Sequence, residues 1–242
     1  MMNSNERIDD LQRGGLRIIQ RTNAFRFGTD AVLLADFAAP RKHDRVCDLG
    51  TGTGVIPLLL YARENSITVD ALELQADMAD MATRSVALNG LTEKITVHAG
   101  DLRQIRSILP HAAYQLVTCN PPYGKAGGTL LNPDESKRLA RHEESCAIED
   151  VAMAAAWLLR NGGRLCCVFP AARMLELSDA MRKYRMAPKR IRMVHSRAEK
   201  AAHLCLMEGM LDARPGLIIE PPLIIYDENN AYTPELRRIY GL

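Results

Sequence analysis

The residues best suited to chemistry fall in two short runs, Asp48-Leu49-Gly50-Thr51-Gly52-Thr53-Gly54 and Asn120-Pro121-Pro122-Tyr123. In the first, glycines at alternate positions let the backbone pass close to a ligand without interference from Cβ, as a strand turning into a helix does beside a nucleotide-like molecule. The spacing is G-x-G-x-G, with Val55 where a dinucleotide fingerprint places its last Gly or Ala, and there is no G-K-[ST] of a phosphate-binding loop. Alone, the pattern also suits a tight packing turn. Glu73 stands at about the offset where a carboxylate takes both hydroxyls of a ribose. Asp101, in Ala99-Gly100-Asp101, is placed to accept from the exocyclic amine of a ligand's adenine. Each acid also reads as a helix cap or a surface charge. At the carboxyl ends of successive strands, however, they converge with the glycine turn on the edge where open α/β sheets bind ligands.

The second run supplies acceptors and stiffness. Pro121 and Pro122 fix φ and carry no backbone N–H. When the Asn120 side-chain oxygen and the Pro121 carbonyl each accept an N–H from a planar amine, its lone pair, otherwise delocalised, is turned toward an electrophile. Tyr123 can stack on a flat acceptor group, and an adenine ring suits that stack. A base entering such a pocket must leave its own stack or already lie in a loop. The plain alternative is a Pro-Pro turn that caps a strand.

Elements must bring these runs together. Short apolar stretches alternate with helical patterns, the signature of βα units and a largely parallel sheet. The pattern predicts strands at Arg45–Leu49, Thr68–Glu73, Ile95–Ala99, 115–119 and 164–169, and helices over 55–62, 75–89 and 148–159, with Asn89-Gly90 as a helix stop. Beyond Phe169 it predicts a helix over 172–184 and strands over 191–194 and 204–211, the latter interrupted by Gly209. The stretch 217–226, with two apolar runs around Pro221-Pro222, reads as an edge strand or terminal extension. Residues 124–143, rich in Gly, Pro and charge, read as a functional loop.

With 242 residues, 47% of them hydrophobic and 25% charged, the chain has the size and composition of one soluble domain able to bury a core. Its net charge of +2 conceals an uneven distribution. The run 182–200 holds Arg182, Lys183, Arg185, Lys189, Arg190, Arg192, Arg197 and Lys200, opposed only by Glu199. It reads either as a solvated surface or as one that neutralises backbone phosphates with strongly salt-dependent binding. Six cysteines without a C-x-x-C pair give no expectation of a metal and fit a reducing cytosol. The N-terminus lacks a signal-type apolar stretch and no apolar run approaches membrane-spanning length, so a cytoplasmic protein with no membrane partner is expected.

From about residue 25 to 211 the chain resembles the class I, Rossmann-like S-adenosylmethionine-dependent methyltransferases. The resemblance implies an α/β fold with a mostly parallel seven-stranded sheet, helices on both faces, and the late strands near Ile191 and Leu204 as a closing antiparallel pair. It implies S-adenosyl-L-methionine as cofactor, with Asp48, Gly50, Gly52 and Gly54 at its methionine part, Glu73 on the ribose and Asp101 facing the adenine. Residues 1–24 become an N-terminal extension, and 25–242 the methyltransferase domain with a C-terminal extension. Asn-Pro-Pro-Tyr marks amino methyltransferases in general, including those for adenine N6 and for the glutamine side chain of peptide release factors. Asn120, Pro121, Pro122 and Tyr123 are then the catalytic group, and Asn120 also borders the cofactor.

Two segments resemble more narrowly the bacterial family that methylates N6 of an adenine in a tRNA(Val) anticodon loop. They are Phe25-Arg26-Phe27-Gly28-Thr29-Asp30-Ala31-Val32-Leu33-Leu34, and Asn132-Pro133 followed by Ala140-Arg141-His142-Glu143. Within the first, Thr29 and Asp30 either cap a helix beginning near Ala31 or contact the cofactor directly. Within the second, Arg141 and His142 either contact a phosphate or base beside the target or simply open a helix with charge. The expected function is methyl transfer to N6 of an adenine in RNA, with tRNA as partner. One alternative is a protein glutamine N5-methyltransferase, which usually carries a separate N-terminal helical domain where about two dozen residues precede Phe25 here. Another is a non-catalytic RNA-binding module of the same fold, against which the intact 120–123 run argues. Gly124-Lys125-Ala126-Gly127-Gly128 directly after Tyr123 departs from the tRNA family's pattern.

Overall fold

The computed structural model describes residues 3, 5–22, 28–122 and 148–242. The chain opens with an antiparallel hairpin of β1 (Glu6–Asp10) and β2 (Arg17–Arg21). Then follow α1 (Thr29–Ala38), β3 (Arg45–Leu49), α2 (Val55–Arg63), β4 (Thr68–Glu73), α3 (Ala76–Leu88), β5 (Ile95–Ala99), α4 (Ile105–Ile108) and β6 (Tyr114–Cys119). The second half holds α5 (Ile148–Leu158), β7 (Leu159–Pro170), α6 (Met174–Lys183), β8 (Met186–His195), β9 (Ala202–Leu211), β10 (Ile218–Ile219), β11 (Leu223–Ile224) and α7 (Pro234–Tyr240).

The main sheet runs β10-β8-β9-β7-β6-β3-β4-β5, with β11 also paired to β8. Neighbours from β7 through β5 are parallel, and β9 is antiparallel to both β7 and β8. The seven long strands are the expected mostly parallel sheet with its antiparallel closing pair. The two-residue strands β10 and β11 extend its edge, and both come from the stretch read as an edge or extension. Chain order reverses at β3, since β4 and β5 lie on one side of it and β6 and β7 on the other. The crevice outside the carboxyl ends of β3 and β6 is therefore a topological switch point.

Strand residues of alternate parity feed two cores. Val46, Leu116, Cys166 and Val168 face α1, α2 and α7, while Cys47, Val117, Leu165 and Cys167 face α4, α5 and α6. Covering both faces explains why the central strands read as unbroken apolar runs. Leu33, Leu34, Leu58 and Leu60 are almost wholly buried. Each contributes roughly 1.5–3 kcal/mol toward fixing helices against the sheet. Gly209 does not break β9, because a Cβ there would run into Met181 of α6, so the glycine admits a close helix. Among the described residues no helix is long and apolar enough to cross a membrane.

Most of the basic run at 182–200 is engaged within the fold. Lys183 pairs with Glu149, Arg185 with Asp212, Arg190 with Glu208 and Glu220, and Arg192 with Glu235. Lys189 and Arg197 donate to the carbonyls of Arg214 and Asp227. Arg190 also donates to the Phe37 carbonyl at the end of α1, and the buried Arg164 donates to the Ala38 carbonyl. There the unpaired carbonyls of a helix terminus favour cations.

Candidate active site

The glycine turn is held to β4 by backbone bonds. The Leu72 carbonyl accepts from Gly50 N at 2.9 Å and from Thr51 N at 3.0 Å. Glu73, 5% exposed at the end of β4, uses one carboxylate oxygen for Gly52 N at 2.8 Å and the other for Gln75 N at 2.9 Å. Two of its acceptor positions are thus committed, and each oxygen keeps lone-pair capacity for a further donor. Gly50 and Gly52 stand at φ of 71° and 58°, and a Cβ at either would meet no atom within 4 Å. That space is a ledge open to a ligand. Gly54 differs: a Cβ on it would lie 3.3 Å from the Ala82 side chain, so it serves the packing of α2 on α3.

A cavity of about 280 Å³ lies over this ledge. It gathers Gly50, Gly52, Glu73, Asp101, Asn120, Pro121 and Pro122 from the sequence-predicted set. It adds Leu72, Leu74, Gly100 and Leu102, which the sequence reading did not name as site residues. The leucines give the cavity apolar lining beside the two acids, a signal visible only once the strands are placed. Asp101 caps the short turn 102–104 by accepting from Arg103 N at 2.9 Å, and it pairs with the Arg103 guanidinium at 2.6 Å. These bonds hold its carboxyl below the usual carboxylate range.

Asp48, Gly54 and Thr29 do not line this cavity. Asp48 is fully buried beneath the turn, where Oδ1 accepts from the Thr118 hydroxyl at 2.6 Å. Its Oδ2 and the Thr51 hydroxyl oxygen have no hydrogen-bond partner among the described residues. Burial pushes its carboxyl up to about 7, against the lowering effect of the Thr118 bond. Helix α1 begins at Thr29 itself, with Gly28 as N-cap, two residues ahead of the predicted start. The Thr29 hydroxyl accepts from Tyr240 at 3.0 Å, tying α7 to the start of α1. Asp30 accepts from Ala31 N through Oδ1 and from the Asn120 amide through Oδ2, each at 3.0 Å. Tyr123, Arg141 and His142 lie outside the described residues, as do Phe25 to Phe27 and the loop 124–143.

These features fit S-adenosylmethionine. Its nucleoside suits a lining of leucines with Glu73 and Asp101, and the ledge at Gly50 and Gly52 is space that side chains would have filled.

The family model for the methyltransferase small domain matches residues 23–188. The tRNA1(Val) (adenine(37)-N6)-methyltransferase of Porphyromonas gingivalis is 30% identical to the chain over 89% of its length and 87% of the relative. The protein of that name from Tolumonas auensis is 32% identical over 88% of this chain and 86% of the relative. Among solved structures, one described as a predicted O-methyltransferase from Agrobacterium tumefaciens has a TM-score of 0.73 at 25% identity, covering 88% of this chain and 95% of that one. TrmN from Thermus thermophilus shares the fold, with a TM-score of 0.56 at 22% identity over 75% of this chain and 48% of its own. The matched region runs from ahead of α1 into β8 and holds every residue that lines the cavity. By fold, cavity and sequence the chain belongs to the methyltransferase small-domain family, within the class I S-adenosylmethionine-dependent methyltransferases.

Proposed function

We propose that the chain transfers a methyl group from S-adenosylmethionine to N6 of an adenine in RNA, with tRNA as the substrate class. The carrying observation is that Asn120 and Pro121 line the same cavity as Glu73 and Asp101, so the acceptors for an amine adjoin the acceptors for a nucleoside. Two relatives at about this distance are named for adenine N6 in a tRNA, which supports RNA over a glutamine side chain.

When bound, S-adenosylmethionine supplies a methyl group activated on a sulfonium. The residues of the chain supply position. Glu73, fixed by Gly52 and Gln75, takes the ribose hydroxyls with its remaining lone pairs, and Asp101, shared with Arg103, accepts from the adenine amine. Asp48 and Gly54 support the turn from beneath, and Thr29 acts through the start of α1. The Asn120 side-chain oxygen and the Pro121 carbonyl accept the two N–H groups of the substrate amine, which aims its lone pair at the methyl group. Pro121 and Pro122 stiffen that arrangement by fixing φ. The amine already has a usable lone pair once oriented and loses its proton after methylation, so no general base is required. Tyr123 stacks on the base, and Arg141 and His142 contact the flanking nucleotides. An RNA substrate and the buried free cysteines support a cytoplasmic location.

The test is direct. Incubation of the purified chain with labelled S-adenosylmethionine and unmodified tRNA, followed by nucleoside mass spectrometry, yields N6-methyladenosine. Label that appears only in protein, or on RNA at positions other than adenine N6, rejects the proposal.

A further inference from the structure

We infer that Asp30 is a positioning residue, whose carboxylate decides which end of the Asn120 amide faces the substrate amine. The inference rests on the role given above to Asn120. A side-chain amide has a donor end and an acceptor end of nearly the same shape, and only the acceptor end can orient an N–H group. Turned around, Asn120 would present its own N–H groups to those of the substrate and repel them. Asp30 Oδ2 lies 3.0 Å from Asn120 Nδ2. An ionised carboxylate only accepts, so this contact admits one amide orientation, with Nδ2 toward Asp30 and Oδ1 at the opposite end.

The carboxylate is itself held. Its Oδ1 accepts from Ala31 N in the first turn of α1, where a helix terminus favours negative charge. The neighbouring glycine supplies an independent observation. Gly28 has φ −72° and ψ 157°, a conformation open to any residue, so its backbone does not require glycine. Yet a Cβ there would fall on Asp30 Oδ1, well inside van der Waals contact. The absence of a side chain at 28 reserves the space in which the carboxylate reaches both partners. Asn120 is thus set from α1, an element that otherwise stays outside the cavity lining.

The experiment compares Asp30→Asn, Asp30→Glu, Gly28→Ala and Asn120→Ala with wild type in the full chain. It reads kcat and KM with tRNA, the cofactor Kd by calorimetry, and Tm. Asp30→Asn keeps the shape but accepts either amide orientation, so kcat falls about 10- to 100-fold while KM and cofactor Kd stay within about twofold. Asp30→Glu restores part of the loss by returning a carboxylate, and Gly28→Ala reproduces the kcat defect with Asp30 still in place. Wild-type kcat in Asp30→Asn beside an inactive Asn120→Ala overturns this inference alone. Wild-type activity in Asn120→Ala overturns the functional reading beneath it. A fall in Tm or in cofactor affinity that matches the loss of kcat makes Asp30 a fold residue and also overturns the inference.

Discussion

At the carboxyl ends of β4, β5 and β6, polar groups border a cavity; along β8, three strands beyond β6, they are met by one another. Glu73 and Asp101 are anchored by backbone N–H groups yet still border open space. Arg190 and Arg192 are met by Glu208, Glu220 and Glu235, and Arg190 closes the end of α1. Both regions look functional in the sequence. The difference teaches that a dense run of charge reports on function only when the fold leaves it facing outward. On a strand with helices packed over it, residues two apart share a face, and their charges are neutralised internally because leaving them unpaired is costly.

The sharpest way to break this contrast is at Asn120. Asn120→Ala lowers kcat about a hundredfold to ten-thousandfold in single-turnover assays while the cofactor Kd moves by less than about threefold. A comparable loss of cofactor affinity would instead make it part of the nucleoside site.

Asp48 tests what happens to charge sealed beneath that site. Its carboxyl is raised from 3.8 to about 7 in the folded chain, so between those values the folded state holds a proton that the unfolded state releases. The stability this gives is complete below pH 3.8 and is lost as pH rises to about 7. Asp48→Asn, which cannot ionise, therefore gains on wild type through that window, by up to about 4 kcal/mol above it. Urea denaturation at pH 5 and pH 8 checks this, and a pH-independent difference refutes it.

Glu73→Gln removes the charge but keeps one acceptor. It weakens S-adenosylmethionine binding about 10- to 100-fold by calorimetry, with kcat at saturation changed much less. Smallest in stability is Arg190→Ala, which loses about 2 kcal/mol through its bonds to Glu208, Glu220 and Phe37. Its RNA affinity keeps the salt dependence of wild type. A fall of about one in the slope of log K against log salt would mean that Arg190 reaches a phosphate, and the contrast between the two regions would fail.

Where several weak signals agree, the sequence is legible. Strands β3, β4 and β5 begin and end where the pattern predicts, and β3 and β4 read as apolar runs because both faces of the central sheet are covered there. Helix α7 escapes the periodic reading because it is short, although Thr233 at its N-cap, Pro234 in its first turn and Gly241 after it are all conventional signals. The hairpin of β1 and β2 has few apolar residues and is fixed by partners far away, as when Arg84 grips Glu6 or Ser85 receives Ile19 N. No local pattern encodes such contacts. The site shows the same division. Gly52, Glu73 and Asn120 follow from motif and spacing, whereas Leu72, Leu74 and Gly100 enter the cavity only through strand order. Gly54 looks like its glycine neighbours in sequence but answers to Ala82 of α3.

The place of β9 in the sheet has a consequence for synthesis. Strand β8 leaves the ribosome before β9, yet its sheet partners are β9, β10 and β11, all encoded later. Until β9 slots in beside β7, β8 has no edge to join. Among the described residues the cavity is lined from 49–122, which are translated long before that moment. The described residues that line it are therefore all synthesised before the strand that completes the sheet. The far edge of the sheet must wait for β9, so a chain stopped before β9 leaves β8 without the strand that joins it to β7.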